Sequence, residues 1–208
     1  MIDGATLAAY MLVVLGLFLI PGPAVLLVLA RGMTGGRGVG IATGLGIATG
    51  DLAHTIMATL GLSAVLATSA LAFNLVKYVG AAYLVYLGIR AICEKSGSLD
   101  MPAARRVGAW LAYRQAVLAE MLNPKTALFF LAFLPQFVHP GRGSSLMQFA
   151  ELGCVFVVMS AAYTSLLALG AGSLGRWLAR HRGIGRWQGK IVGAIYLSLG
   201  VRLAAQHR

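Results

Sequence analysis

Residues Glu120–Phe130 read EMLNPKTALFF. A glutamate, an Asn-Pro pair and a lysine fall within six residues, immediately before an apolar run. Proline gives no N–H to the helix ladder, and its ring clashes with the carbonyl four residues earlier, here that of Glu120. In a soluble protein such a segment would be an ordinary turn between helices. The surrounding composition places it in hydrocarbon instead. The 208-residue chain is 59% hydrophobic and only 11% charged, whereas an average soluble domain carries about 25% charged residues. Polar groups that persist in such a chain need a reason.

A helix needs about 20 apolar residues to cross roughly 30 Å of hydrocarbon. Six segments qualify, some with a polar insert: Thr6–Ala30, Val39–Leu66, Ala70–Ile92, Gln115–Val138, Leu146–Leu169 and Gln188–Leu203. The last is short and has charged ends. The first has no basic residue before it and is too long for a signal-peptide core, so it reads as a retained span. Segments two and three are joined only by Ala67-Thr68-Ser69, a tight helical hairpin. The expected fold is therefore an all-α integral membrane protein, a single transmembrane domain over residues 1–208. A polar loop at about 93–114 divides it into a first repeat, about 1–92, and a second, about 115–208. Three spans per half make the halves inverted repeats, a common transporter plan.

Charge sets the expected orientation. Twelve Lys and Arg residues lie in the loops after segments one, three and five, against three, Arg142, Arg202 and Arg208, on the other side. Basic loops stay in the cytoplasm, so both termini are expected outside. If the sixth segment does not span, the C-terminus lies inside. The net charge of +11 is spread in these short clusters, a layout that suits anionic lipid and not nucleic acid. Cys93 and Cys154 belong to no CxxC pair and read as buried or lipid-side thiols without a disulfide.

Segment one contains Pro21-Gly22-Pro23 and segment four contains Asn123-Pro124, the same ordinal positions in the two halves. Pro21 should free the carbonyl of Leu17, Pro23 that of Leu19, and Pro124 that of Glu120. Freed carbonyls are costly in lipid, so the breaks should face protein or a wet cavity. Interrupted spans at matching positions point to a midplane binding site. The N–H groups of the half-helices that follow suit an anion such as a carboxylate. The plainer alternative is a pair of packing kinks.

Asp51 lies about 12 residues into segment two and Lys125 about 10 into segment four, or roughly 18 and 15 Å at 1.5 Å per residue. Both are near mid-membrane, where an ionised residue costs at least about 2.5–3.5 kcal/mol. An ion pair between them would lower that cost, either as part of a site or simply to fix helix register. Glu120 sits one turn plus one residue before Lys125. His54 follows Asp51 by three on the same face, as a proton relay or a hydrogen-bonded packing residue. Gly40, Gly44, Gly46 and Gly50 are spaced for close helix approach, in a homodimer or within the chain, and should bring Asp51 into the bundle. No nucleophile constellation, metal-ligand spacing or phosphate loop appears, so neither an enzyme nor a cofactor is expected. Any pumping must then run on an ion gradient or on the solute's own gradient.

In order along the chain stand Pro21-Gly22-Pro23-Ala24, the glycine-rich run ending Gly50-Asp51, Lys77-Tyr78-Val79-Gly80-Ala81-Ala82-Tyr83-Leu84 with Gly88, Asn123-Pro124-Lys125, Phe129-Phe130, and Leu134-Pro135-Gln136-Phe137. Together these motifs resemble the LysE/RhtB family of bacterial amino-acid exporters, the LysE-type translocators. The resemblance implies efflux of amino acids or their derivatives across the bacterial inner membrane, linked to protons. Segments five and six carry little of the signature and leave room for substrate choice. The expected substrate site comprises Pro21, Gly22, Pro23, Asp51, Asn123, Pro124 and Lys125, between segments one, two and four. Lys125 and the half-helix N-termini would meet the carboxylate, and Asp51 the ammonium or a proton. Asp51, Glu120 and His54 are the proton-coupling candidates. The rival readings are a passive channel or facilitator for small zwitterions and a non-transport membrane scaffold.

Overall fold

A computed structural model describes residues 2–19, 22–68, 70–93 and 106–180, and six further helical positions between 190 and 201. Among these residues there is no strand. Helix α1 (Gly4–Leu19) starts on Asp3, whose carboxylate accepts the Thr6 N–H at 2.8 Å and the Thr6 hydroxyl at 3.0 Å. The Thr6 backbone bond, above all, holds the Asp3 pKa below its ordinary value. Its contribution is therefore present above the usual carboxylate pKa and fades as pH falls through the lowered one. Asp3 also pairs with Arg142, which puts the start of α1 beside the turn that leads into the last long helix.

Helix α2 (Pro23–Gly35) resumes at 58° to α1. Pro23 opens it, where a missing N–H costs the ladder nothing. Helix α3 (Arg37–Thr68) takes in Ala67 and Thr68 of the expected hairpin, and helix α4 (Ala70–Cys93) follows; Ser69 between them lies outside the described residues. Helix α5 (Ala109–Met121) meets the segment beginning with α6 (Pro124–Ala132) at 47°. Segment four was expected to continue to Val138. Its α-helix ends at Ala132, and Pro135 sits in a 3-10 turn over Leu134–Phe137. A second short turn, Pro140–Arg142, leads into α7 (Ser145–Arg180). The described positions of the sixth segment are helical, and Gly193 packs against Gly88 of α4.

By length and composition, one described helix, Ser145–Ser173 within α7, is apolar enough to cross a membrane, rising to three if each bent pair is one span. Helix α3 has 32 residues and carries Asp51 and His54 within it. Most of the sixth segment lies outside the described residues.

Helix α3 is the centre of the bundle. Its glycines divide between two faces. A Cβ on Gly40 would lie 3.0 Å from that of Ala168, and one on Gly44 would lie 2.8 Å from the Thr164 hydroxyl, both on α7. Gly46 and Gly50 instead meet Tyr113 and Glu120 of α5. The small-residue spacing thus serves contacts within the chain, and it buries Asp51 to 1% exposure. Two apolar cores flank this level. One gathers Tyr10, Phe129 and Phe156 from α1, α6 and α7, with Phe133 just past the end of α6. The other gathers Val28, Ile47, Ala116 and Ala168 from α2, α3, α5 and α7. Cys93 and Cys154 are free and exposed, which agrees with lipid-side thiols.

A Cβ at Gly46 would strike the Tyr113 carbonyl, which is backbone and has little freedom to move. Gly46→Ala is expected to destabilise the protein by about 1–3 kcal/mol. A methyl group on Gly61 would meet nothing within 4 Å, so Gly61→Ala should be neutral or gain up to about 1 kcal/mol. Thermal unfolding of the detergent-solubilised variants checks both signs.

Candidate functional site

The two breaks meet. Leu17, the residue four before Pro21, turns its carbonyl to Lys125 of α6, whose Nζ donates to it at 3.1 Å. Gly22 leaves room for that side chain, since a Cβ there would come 3.3 Å from both Cδ and Nζ of Lys125. Pro21 itself lies outside the described residues. The second break is handled the same way. Glu120, four before Pro124, has its carbonyl bonded by His54 Nε2–H from α3 at 3.0 Å and by the Asn123 N–H at 3.0 Å. A carbonyl only accepts, so His54 carries its proton on Nε2 in this contact. Its ring stacks on Phe130 with centroids 5.9 Å apart. The contact is a hydrogen bond to the backbone of a neighbouring helix.

Asn123 explains why the second break is Asn-Pro. Its Oδ1 accepts the Lys125 N–H at 3.0 Å and so caps α6, while its Nδ2 faces both carboxylate oxygens of Glu120 at 3.1 Å. Thr126 donates its hydroxyl to Glu120 Oε1 at 2.5 Å. Glu120 is only 3% exposed, and its side chain is held from two positions of the half-helix that follows it. Asp51 Oδ2 accepts the Ser160 hydroxyl of α7 at 2.5 Å. Asp51 and Glu120 act on each other electrostatically, and Glu120 likewise acts on Lys125.

These groups line one cavity of about 40 Å³, bordered by Leu17, Gly22, Asp51, Glu120, Asn123, Lys125 and Ser160 among others. The structure thus gathers Gly22, Asp51, Asn123 and Lys125 in one place, with Glu120 beside them. Pro23 and Pro124 are adjacent as the first residues of α2 and α6. His54 bears on this cavity through the Glu120 backbone. The sequence reading missed the contribution of α7: Ser160, Tyr163 and Thr164 all line the cavity. Their signal was present as buried polar positions one turn apart in an apolar helix. A mid-membrane serine usually bonds its own backbone, so the pattern did not stand out.

The arrangement offers a cation, two carboxyls and hydroxyl donors around one cavity. It can bind a small zwitterion or carry a proton on a carboxyl. Among the described residues no group of His, Cys, Asp and Glu is placed to hold a metal.

Comparison with known proteins gives a consistent result. The chain matches the family described as LysE type translocator over residues 15–207. A Pseudomonas aeruginosa protein named as an uncharacterized membrane protein is 34% identical over 200 residues, covering 94% of this chain and 93% of its own length. A Vibrio cholerae protein with the same description is 32% identical over 200 residues, covering 94% and 95%. The leucine efflux protein of Salmonella typhimurium is 27% identical over 198 residues, covering 94% and 92%. No solved structure matches the chain.

Asn123 joins the cap of α6 to the carboxylate of Glu120, so its two amide atoms can be tested apart. Asn123→Ala loses both and should cost at least about 1–2 kcal/mol. Asn123→Asp keeps the cap but puts an acceptor where the amide donates to Glu120, and should cost more than the alanine. Unfolding midpoints of the two purified variants give the order, and a more stable aspartate variant would contradict the geometry.

Proposed function

The chain belongs to the LysE-type translocator family, and from that premise we propose that it is a secondary transporter exporting amino acids across the bacterial inner membrane by proton antiport. The proposed frame is a single domain of six spans in two inverted three-helix repeats, both termini outside. The observation that carries the reading is the Lys125 ammonium on the Leu17 carbonyl, because it joins the broken helix of one half to that of the other inside a cavity that also holds two carboxyls.

In the proposed cycle the substrate carboxylate displaces the Leu17 carbonyl from Lys125. A carboxylate is the stronger acceptor for an ammonium, since charge-assisted bonds exceed neutral ones. The substrate ammonium meets Asp51, with Glu120 behind it. Gly22 and the α2 start leave backbone accessible next to the carboxylate, and Pro23 and Pro124 keep the half-helices separate. On the outer side a proton arriving at Asp51 replaces the ammonium, and the protonated carrier returns. Glu120 is the second proton carrier. His54 acts on the pair by holding the Glu120 backbone in place. The relatives named as leucine efflux proteins support an amino acid as the exported solute.

The test is efflux from reconstituted vesicles loaded with mixed amino acids, with and without an imposed pH gradient. Wild type should lose amino acid faster when the gradient is present. Asp51→Asn, still folded, should lose that dependence, a fall of at least about fivefold if coupling has an ordinary magnitude. Release that ignores pH in both proteins would indicate a passive facilitator. No release from folded wild type would leave a scaffold.

A further inference from the structure

Beside the polar cavity lies a larger one of about 370 Å³, between the start of α2, the middle of α3 and the end of α5. Its walls are apolar: Ala24, Leu26, Leu27, Ile47 and Ala119. Glu120 and Asn123 mark its polar edge, and these two, with Ala24 and Ile47, border both cavities. The two spaces are therefore neighbours that share a seam, one small and charged, one roomy and oily.

That division matches the shape of one molecule class. An α-amino acid carries both its charges on a single carbon, and its side chain leaves that carbon in one direction. The polar cavity, about 40 Å³, has room for roughly three waters, which a charged head group would displace. It has no room for a long side chain as well. The larger cavity has the size of an ordinary small-ligand pocket, about 300–1,000 Å³.

We infer that the larger cavity receives the substrate's side chain, and that it selects amino acids with aliphatic side chains over those with basic ones. The inference rests on the export reading and specifies which amino acids that site takes. A lysine or arginine side chain directed there would set its charge against Leu26, Leu27 and Ile47, losing water without gaining a partner. An aliphatic chain loses nothing. Ile47 is the pivot, since it is buried, borders both cavities and sits one turn from Asp51 on α3. Ala119 is the wall position with space to grow, because it is exposed at the cavity mouth.

The experiment is competition efflux from vesicles loaded with equal leucine, alanine, phenylalanine, lysine and arginine. Wild type should export leucine at least about tenfold faster than lysine or arginine. A single methylene in an apolar pocket is worth roughly 10–200-fold. Ala119→Leu, which fills the cavity, should therefore lower the leucine-to-alanine ratio by about tenfold or more. Ile47→Ala, which enlarges it, should raise the phenylalanine-to-leucine ratio. Two opposite shifts guard against simple misfolding, which would depress all substrates together. Export that favours lysine or arginine would overturn the inference while leaving amino-acid export standing. So would ratios that neither variant moves, as expected if a lipid chain fills the cavity. Absence of any amino-acid export by folded wild type would overturn both readings.

Discussion

A backbone carbonyl freed inside a membrane has no water to bond, and each one left alone costs several kcal/mol. That constraint organises this protein. Pro21 and Pro124 each free the carbonyl four residues earlier, at Leu17 and at Glu120, and both of these carbonyls are bonded by a side chain from another helix, Lys125 in one case and His54 in the other. The breaks therefore form only if the bundle forms. Close approach is required at each: α3 must come near enough to α5 for His54 to reach, which Gly46 and Gly50 permit, and α6 must come near the end of α1, which Gly22 permits.

The buried carboxyls follow the same logic one level up. Asp51 and Glu120 are removed from solvent; Asp51 is met by the Ser160 hydroxyl, and Glu120 by the Asn123 amide and the Thr126 hydroxyl. The donors come from α6 and α7 as well as from the α5–α6 break. Removing any one donor leaves a buried carboxyl with fewer partners, which costs more than the bond's net worth. The polar cluster is thus a joint between the two apolar cores, holding α3, α5, α6 and α7 in register at the level of the breaks.

Much of this was legible because its rules are local. The offset from proline to freed carbonyl is fixed at four residues, so Leu17 and Glu120 could be named from sequence. The glycine spacing on α3 gave the burial of Asp51. What needed three dimensions was partner choice. Nothing in the sequence says that Lys125 reaches Leu17, or that Asp51 reaches Ser160 on a helix 109 positions away in the chain. Helix ends were also misjudged, for a physical reason. Apolar runs mark the hydrocarbon, whereas helices continue into polar surroundings, as α7 does to Arg180, or stop early where a proline favours a 3-10 turn, as at Pro135.

The Lys125–Leu17 bond has a consequence for motion in the proposed cycle. It ties the first half's break to the second half's break, so any rocking of one half against the other must break or exchange it. A ligand shifts a conformational equilibrium only through contacts that differ between the states. A substrate carboxylate that takes Lys125 from Leu17 supplies such a difference, since it removes the tie and replaces it with a stronger bond. A proton on Asp51 supplies the complement, by neutralising a carboxyl that would otherwise cross the cycle unpaired. The empty, unprotonated carrier has neither. It keeps the tie and a buried carboxylate with no new partner, so it is the state least able to switch. Coupling of export to proton entry would then follow from which forms can move, with no further gate required.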